Sequence, residues 1–568
     1  MEYFTHADEK KSKTPLRILS LSGTESVTKN LTIYEYGEDI IIVDCGVGFP
    51  DSEMYGVDVV IPDFSYLLQT SKRIRGLFVT HAHDDHFGAV PYFLEQCNVP
   101  VYAGRLVLGF LHKVLEEKKF KNLAPTVHLN QLDYNKEVTL GPFRVSAFRV
   151  NHSVPDSMGL AIKTPEGLIL HMADFKIDWT PILDEPIDLG TIAQYGKEGV
   201  LCLLSDCLGV EEEGPTKTER VLNDTFFELF DRFRERQVFV TTISTNISRM
   251  YQIISIAMRY GRKIVPSGRS IDQSIEIARK LGYLPFSPDI FISEKEAAKC
   301  DQKSLIYIIA GCYGQPGSSL GRLSRNEHNT LSLESDAVVI FSGDPNPPGA
   351  DVAVEKVISD LILQGCEVLY SGIQDNLHVS GHGTRGDLTA VAAVVKPKYF
   401  IPIGGTVAKM RGYTRMVRSL GMDGSKVFEN LEGESVEFLH GRAKKGEFVE
   451  TKQVFINTKT AEEISPIVVK DRGQLSEEGI FVVIIPQNKQ GDFLSSKVDV
   501  ITRGLIYVKG SKDLMDRSKK LVSKGVAGAS TKSKDWEEKK KKIERDLERF
   551  LYKETGKSPL IMMHTIAV

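Results

Sequence analysis

The sequence predicts an α/β protein, and three observations predict it. From residue 16 to about residue 204, short apolar strand-like runs alternate with helix-like segments and Gly-rich turns, the pattern of an α/β sandwich with catalytic loops at one edge. The same alternation returns over residues 205–368, with Gln237-Val238-Phe239-Val240-Thr241 and Ala337-Val338-Val339-Ile340-Phe341 among its strand-like runs. Between His81 and His86, five potential metal donors stand within six residues, directly after the apolar, β-branched run Gly76-Leu77-Phe78-Val79-Thr80.

The first of these elements to carry chemistry is Asp39-Ile40-Ile41-Ile42-Val43, which ends in Asp44. Asp44 is read as orienting a metal-binding side chain and not as a ligand itself. Next comes His81-Ala82-His83-Asp84-Asp85-His86. On extended backbone, residues two apart share a side, so His81 and His83 can converge on one ion while Asp85 and His86 turn toward another. Neutral imidazoles and carboxylates suit zinc or manganese, with Zn–N contacts of about 2.0–2.1 Å, and a catalytic ion keeps one position open. Further donors are therefore expected downstream. His152 and Asp174 qualify, each at the end of an apolar strand-like run. The constellation points to a dinuclear hydrolase.

After the second alternating region the chain passes through His378-Val379-Ser380-Gly381-His382 and the strand-like Tyr399-Phe400-Ile401-Pro402-Ile403, finishing the first domain near Lys445. Residues 441–446 read as a polar linker. A third unit follows, with strand-like Ile480-Phe481-Val482-Val483-Ile484-Ile485 and a late helix. Asp535 and Glu538 suggest a capping box there, and Trp536, Ile543, Leu547, Phe550 and Leu551 lie at helical spacing, as a core or subunit interface requires. Lys539-Lys540-Lys541-Lys542 is flanked by acids and reads as a solvated helix face.

Length and composition bound the rest. At 568 residues and 42% hydrophobic content the chain can bury several cores, and length suggests about three or four domains. Seven scattered cysteines without a Cys-x-x-Cys pair indicate neither a disulfide framework nor a zinc ribbon, so a reducing cytoplasm is expected. The stretch from Met1 to Lys10 lacks the basic start and apolar core of a signal peptide, and no run approaches a membrane span. A net charge of −4 argues against gripping nucleic acid over the whole surface, because phosphate binding depends on Lys and Arg. Metal ions at a site supply local positive charge and leave that option open.

The order of an aspartate after a strand, His-x-His-x-Asp-His, a lone histidine and a lone aspartate resembles the metallo-β-lactamase superfamily. The long segment after Asp174, containing Leu204-Ser205-Asp206, Thr242-Ile243-Ser244-Thr245-Asn246 and Gly311-Cys312-Tyr313-Gly314, resembles the β-CASP insertion of nucleic-acid-processing members. With His152-Ser153-Val154-Pro155-Asp156-Ser157, Gly56-Val57-Asp58-Val59-Val60 and the closing His378-Val379-Ser380-Gly381-His382, the chain is similar to the bacterial ribonuclease J family over nearly its whole length.

That resemblance implies an αββα metallo-β-lactamase sandwich with an inserted β-CASP α/β domain and a small C-terminal α+β domain. The expected division is 1–204 and 369–445 for the sandwich, 205–368 for the insertion, 446–460 for a linker and 461–568 for the last domain. It implies two divalent metals, zinc by preference, with His81, His83 and His152 on one, Asp85 and His86 on the other, and Asp174 bridging. Asp85 and His382 are the implied catalytic residues, His382 assisting the leaving oxygen. Ile243, Ser244 and Thr245 with His378, Val379, Ser380, Gly381 and His382 are the implied substrate contacts, forming a pocket for a 5′-monophosphate RNA end. The implied activity is 5′→3′ exonucleolytic and endonucleolytic RNA cleavage by a homodimer or homotetramer, in RNA maturation and decay.

Two departures from the family pattern stand out. After Ile403 the family presents a histidine that completes the second metal site, whereas this chain has Gly404-Gly405-Thr406. Glycine offers no donor, so weaker binding or a preference for Mn²⁺ or Mg²⁺ is expected there. Ser205-Asp206-Cys207-Leu208-Gly209 also departs, which bears on local substrate contacts. Gly404 motivates an alternative, a low-activity RNA-binding or structural subunit of an RNA-processing complex, against which the six remaining metal candidates stand. A small-molecule hydrolase sharing only the metal domain would lack the long insertion and the segment from His378 to His382.

Overall fold

In a computed structural model, residues 13–51, 53–343, 350–505, 512–533 and 535–568 are described; the expectation for the first ten residues lies outside them. Period-two burial builds the catalytic region. In strand Gly167–His171, Leu168 and Leu170 face a helix layer while Ile169 joins the core between two sheets. One sheet has eight strands, in the order Arg442–Lys445, Ser435–Leu439, Leu16–Ser22, Leu31–Tyr36, Asp39–Val43, Arg73–Val79, Val101–Ala103, Leu129–Gln131. The other has six, in the order Tyr399–Ile403, Val200–Asp206, Gly167–His171, Met158–Thr164, Phe143–Arg149, Glu137–Leu140. Ile18, Tyr34, Ile41 and Phe78 of the first meet Val145, Leu160, Ile169 and Ile401 of the second in one buried core. Helices Leu189–Glu198, Arg385–Val395 and Val407–Ser419 cover the outer face of the six-stranded sheet through Ile192, Leu388, Val391, Met410 and Tyr413. This is the expected α/β sandwich.

Between Val200–Asp206 and Tyr399–Ile403, which pair as parallel neighbours, the chain makes a separate five-stranded parallel sheet. Its order is Lys263–Ser267, Leu305–Ile309, Val238–Thr241, Val338–Phe341, Glu367–Leu369. The three central strands are buried at every residue, as a parallel sheet covered on both faces requires. Connections leave the adjacent strands Val238–Thr241 and Val338–Phe341 toward opposite edges, and that reversal creates a crevice at their carboxyl ends, where open α/β sheets bind ligands.

A second compact unit comprises Pro50–Val59 and Phe455–Val568. Its sheet runs Asp499–Arg503, Ile480–Gln487, Leu560–Ala567, with Phe481, Val483 and Ile485 packed on helices Lys512–Val526 and Trp536–Thr555. Trp536, Ile543, Leu547 and Leu551 are buried in that core and Phe550 packs against it, so the stripe is a core face. Lys539, Lys541 and Lys542 are exposed.

Three local expectations are corrected. Asp535 makes no side-chain capping bond; it pairs with Lys539 at 2.8 Å, one helical turn on, so its carboxylate is engaged outward. Residues 442–445 form a strand paired with Ser435–Leu439 and not a linker, because Ala443 packs on the inter-sheet core. Within the expected linker at 446–460, Val454–Asn457 is a strand paired with Glu462–Ile464, and its Val454, Phe455 and Ile456 are buried.

Candidate active site

The carboxyl ends of the sandwich strands deliver the polar residues. Asp44 follows Asp39–Val43, Asp174 follows Gly167–His171, and Asp206 ends Val200–Asp206. Asp44 and Ala173 both hold φ in the left-handed region, +62° and +53°, so the backbone is strained where it turns these carboxylates inward. The histidines at 81 and 83 lie between strand Arg73–Val79 and the short helix Asp84–Phe87, with His83 at its N-cap. His152 follows strand Phe143–Arg149. Lys176 N donates to Asn151 O at 2.8 Å, joining the loop that carries His152 to the one that carries Asp174.

Each metal candidate histidine is held by one ring nitrogen and presents the other inward. Asp44 Oδ2 accepts from His86 Nδ1 at 2.8 Å, which points His86 Nε2 inward at Asp174. Burial opposes charge on this ring, but Asp174, Asp44 and Asp85 prevail and raise its pKa well above the ordinary value, so a cation there would take the place of a proton. His152 Nδ1 donates to the carbonyl of Gly381 at 2.7 Å, which frees Nε2. Thr80 Oγ1 lies 3.0 Å from both oxygens of Asp44 and from His81 Nδ1; with its hydroxyl proton on the carboxylate it accepts from His81. His83 Nε2 lies 3.0 Å from Ser153 Oγ, and its Nδ1 lies 2.9 Å from His152 Nε2.

These orientations test whether a cation fits. His81 Nε2 is fully buried and has no hydrogen-bond partner, a costly state for an imidazole nitrogen unless a metal takes its lone pair. Donor atoms of His81, His83 and His152 lie within 4.8 Å of one another, as do those of His81, His86 and Asp174 and those of His152, Asp174 and His382. Asp174 is common to two of the groups; its Oδ2 lies 3.1 Å from His86 Nε2 and 3.8 Å from His81 Nε2. Burial lowers the pKa of His81 and His152 and takes His83 down to about 3, so these imidazoles are neutral and available to metal. The donor set suits divalent ions, and the site binds metal.

Asp85 stands apart from those three groups. Its Oδ2 is 3.7 Å from His86 Nε2, and burial pushes its carboxyl up to about 6. Gly404 sits at the cleft with φ +66°, and a Cβ there would stand 3.3 Å from Asp174 Oδ1 and 3.8 Å from Asp206 Oδ1. The missing histidine would therefore have entered beside Asp174.

The segment from His378 to His382 closes over the cluster. Gly381 is required by contact: a Cβ would lie 2.7 Å from the His152 ring. Gly383 N donates to Phe175 O at 2.6 Å, next to Asp174. His382 Nδ1 is 2.8 Å from Asp206 Oδ2 and 4.0 Å from Asp174 Oδ2. Burial opposes the charged ring, but Asp206 and Asp174 overcome it and raise its pKa to about 9. Ser380 Oγ accepts from His382 N, while Val379 is buried and His378 half-buried.

Ile243, Ser244 and Thr245 occupy the turn between Val238–Thr241 and helix Ile247–Arg259, at the crevice of the parallel sheet. The helix that follows them is tied to Leu377, which precedes the 378–382 segment. Arg249 Nη1 donates to Leu377 O at 3.3 Å and Ser342 O at 3.0 Å, and Ser342 Oγ donates to Leu377 O at 2.7 Å. Arg249 Nη2 and Lys176 Nζ share the buried carboxylate of Glu219 at 2.8 and 3.0 Å, so this ion network also reaches the Asp174 loop.

Two residues escaped the sequence reading. Asp206 carried a signal, an aspartate ending an apolar strand like Asp44 and Asp174, yet stood out only as a departure. Asn30 carried none; its Nδ2 lies 3.0 Å from His86 Nε2 across 56 positions of sequence.

Known proteins bear on this arrangement. Residues 27–203 match the metallo-β-lactamase superfamily, residues 235–361 the β-CASP domain of ribonuclease J, and residues 467–568 the ribonuclease J C-terminal domain. The molecule is a metal-dependent nuclease of the metallo-β-lactamase superfamily. Ribonuclease J2 of Bacillus subtilis is 35% identical over 98% of this chain and 99% of its own length, and Ribonuclease J 1 of Streptococcus pyogenes is 30% identical over 96% of each. Ribonuclease J of Helicobacter pylori is 32% identical over 89% of this chain and 72% of its own. The chain belongs to the ribonuclease J family. A crystal structure of a protein of unknown function from Enterococcus faecalis, 15% identical, aligns over 74% of this chain and all of its own with a TM-score of 0.52, a likeness of fold. No described helix is long and apolar enough to cross a membrane, and none of the seven cysteines is in a disulfide.

Proposed function

We propose that this protein hydrolyses RNA, removing nucleotides in the 5′→3′ direction from a 5′-monophosphate end and also cutting internally. The observation that carries the reading is the anchoring of the 377–382 segment. It is tied to the metal cluster by the 2.7 Å bond from His152 to Gly381, and to the crevice of the parallel sheet by Arg249 and Ser342. A 5′-phosphate held by Ser380, His378 and backbone N–H groups of that segment, with Ile243, Ser244 and Thr245 beside it, would stand at a set distance from the cleft. A set distance from end to scissile bond favours stepwise removal.

In this reading His81, His83 and His152 hold one ion, His86 and Asp85 the other, and Asp174 both, with zinc preferred at the first and Mn²⁺ or Mg²⁺ admitted at the second. Bound divalent ions would neutralise phosphate charge and polarise its P–O bonds. His382 keeps a proton for the departing oxygen, because Asp206 favours the charged ring. Asp44 orients His86 and, through Thr80, His81. The proposed setting is RNA maturation and decay in the cytoplasm, where cysteines outside disulfides persist, by a homodimer or homotetramer. The domain division expected above, with the inserted sheet as β-CASP, goes with this reading.

The test compares 5′-monophosphate and 5′-triphosphate RNA in metal-defined buffer. Faster laddering from the 5′ end of the monophosphate substrate is expected, and Ser380→Ala is expected to reduce the discrimination by up to about tenfold, the worth of one hydrogen bond. Indifference to the 5′ end, or removal from the 3′ end, would defeat the exonuclease reading. Absence of cleavage beside tight RNA binding would favour the structural-subunit alternative that Gly404 motivates.

A further inference from the structure

The second metal position lacks a histidine at Gly404, and the neighbouring carboxylates do not replace it. Asp206 is engaged at both oxygens, Oδ1 by Leu208 N and Oδ2 by His382 Nδ1, each at 2.8 Å. Asp44 is engaged by Thr80 and by His86. What remains is Asn30, adjacent to strand Leu31–Tyr36. Its Nδ2 lies 3.0 Å from His86 Nε2, 3.5 Å from Asp85 Oδ2 and 3.2 Å from Asp85 O. The other separations there are 3.1 Å between His86 Nε2 and Asp174 Oδ2 and 3.7 Å between His86 Nε2 and Asp85 Oδ2. Donors bound to one ion at about 2.1 Å stand roughly 3.0 Å apart in octahedral and roughly 3.4 Å apart in tetrahedral geometry. The Asn30 amide thus sits at ligand spacing among the second-site donors.

We propose that Asn30 supplies the donor that Gly404 cannot, turning its amide so that Oδ1 takes the place of Nδ2 beside His86, Asp85 and Asp174. The inference rests on the two-metal reading above. Without a cation, Nδ2 belongs on this side, because it can donate to the Asp85 carbonyl and carboxylate oxygens. With a cation there His86 Nε2 and the oxygens turn to the metal, and the amide must present oxygen. The far side of the amide accommodates the exchange. Oδ1 lies against Gly23, at the edge of a small cavity lined by Asn30, Ser22, Thr24 and Thr32, and Thr24 Oγ1 is buried there without a partner. A reversed amide turns its N–H donors toward that cavity. An amide oxygen among carboxylates makes the second position harder than the imidazole-rich first, favouring Mn²⁺ or Mg²⁺ there.

The test measures metal, not turnover. Full-length protein is stripped with chelator, reloaded with one equivalent of Zn²⁺, and titrated with Mn²⁺ by calorimetry and electron paramagnetic resonance, with total metal counted by mass spectrometry. Wild type is expected to take one Mn²⁺ per chain, Asn30→Ala to weaken that step at least tenfold with the Zn²⁺ retained, and Asn30→Asp to tighten it. Wild-type Mn²⁺ affinity in Asn30→Ala overturns the role of Asn30 alone. A wild type that takes no second ion overturns the two-metal reading and this inference with it. Should Asn30→Ala lose cooperative melting, Asn30→Asp decides: tighter Mn²⁺ binding supports the assignment, and equal or weaker binding overturns it.

Discussion

The two halves of the proposed metal centre are built differently. At the first position three imidazoles converge, each locked by a bond on its other nitrogen to Thr80, Ser153 or the Gly381 carbonyl. At the second, His86 is the one imidazole; the rest are carboxylates of Asp85 and Asp174, with Gly404 where a ring would stand and the Asn30 amide within 3.0 Å of His86. Neutral nitrogen donors hold a borderline ion tightly, whereas oxygen donors suit harder ions that exchange more readily. Under the two-metal proposal, the contrast teaches that changing a single ligand at a strand end would let one centre combine a resident ion with one that depends on supply.

The comparison breaks most directly at His83. His83→Ala is expected to cut phosphodiester hydrolysis at least about 100-fold, beyond the usual loss for residues that only orient a ligand. Circular dichroism should stay native, because the ring is half-buried in a polar cleft and outside the apolar core. Near-normal turnover by a folded, metal-depleted variant would remove the metal mechanism.

Asp206→Asn tests the carboxylate behind His382, which belongs to neither half, with an expected rate loss of about 100-fold. His382 carries its proton up to about pH 9 with Asp206 beside it. Removing that charge lowers its pKa, so the alkaline limb of the rate profile should move to lower pH. An unmoved limb would separate His382 from proton donation.

Glu219 sharpens the contrast by leaving the ligands alone. Burial raises its pKa, but Lys176 and Arg249 prevail and hold it at about 2, against an ordinary 4.5. A depressed carboxyl stabilises the fold fully above its unfolded pKa, so this contribution should fade as pH falls from about 4.5 toward about 2. Glu219→Ala strands two buried cations and is expected to cost about 3–5 kcal/mol in denaturant unfolding. Unchanged stability would mean the network relaxes without it.

The smallest effect is expected at Gly404. Gly404→His should shift Mn²⁺ activation to lower concentration by less than about tenfold, because φ +66° disfavours the side chain, at about 1–3 kcal/mol, and its Cβ enters 3.3 Å from Asp174 Oδ1. Two equally tight metals in the wild type, with no response to added ion, would erase the difference between the positions.

Much of the centre was legible in sequence, since spacing encodes it locally. His81, His83, Asp85 and His86 lie on one turn, and His152 and Asp174 each follow an apolar run that ends in the cleft. Strands and the helical stripe from Trp536 to Leu551 follow from periodicity, which is a property of the chain itself. The Asp535 cap and the 441–446 linker misread because turn-like composition does not reveal a pairing partner. Only tertiary structure decided that Asn30 meets His86, that Asp206 backs His382, that Gly381 must admit the His152 ring, and that Arg249 binds the sheet crevice to the closing loop. Those contacts join residues from 56 to 229 positions apart, and their partners are chosen by where strand ends converge, a quantity that no local pattern carries.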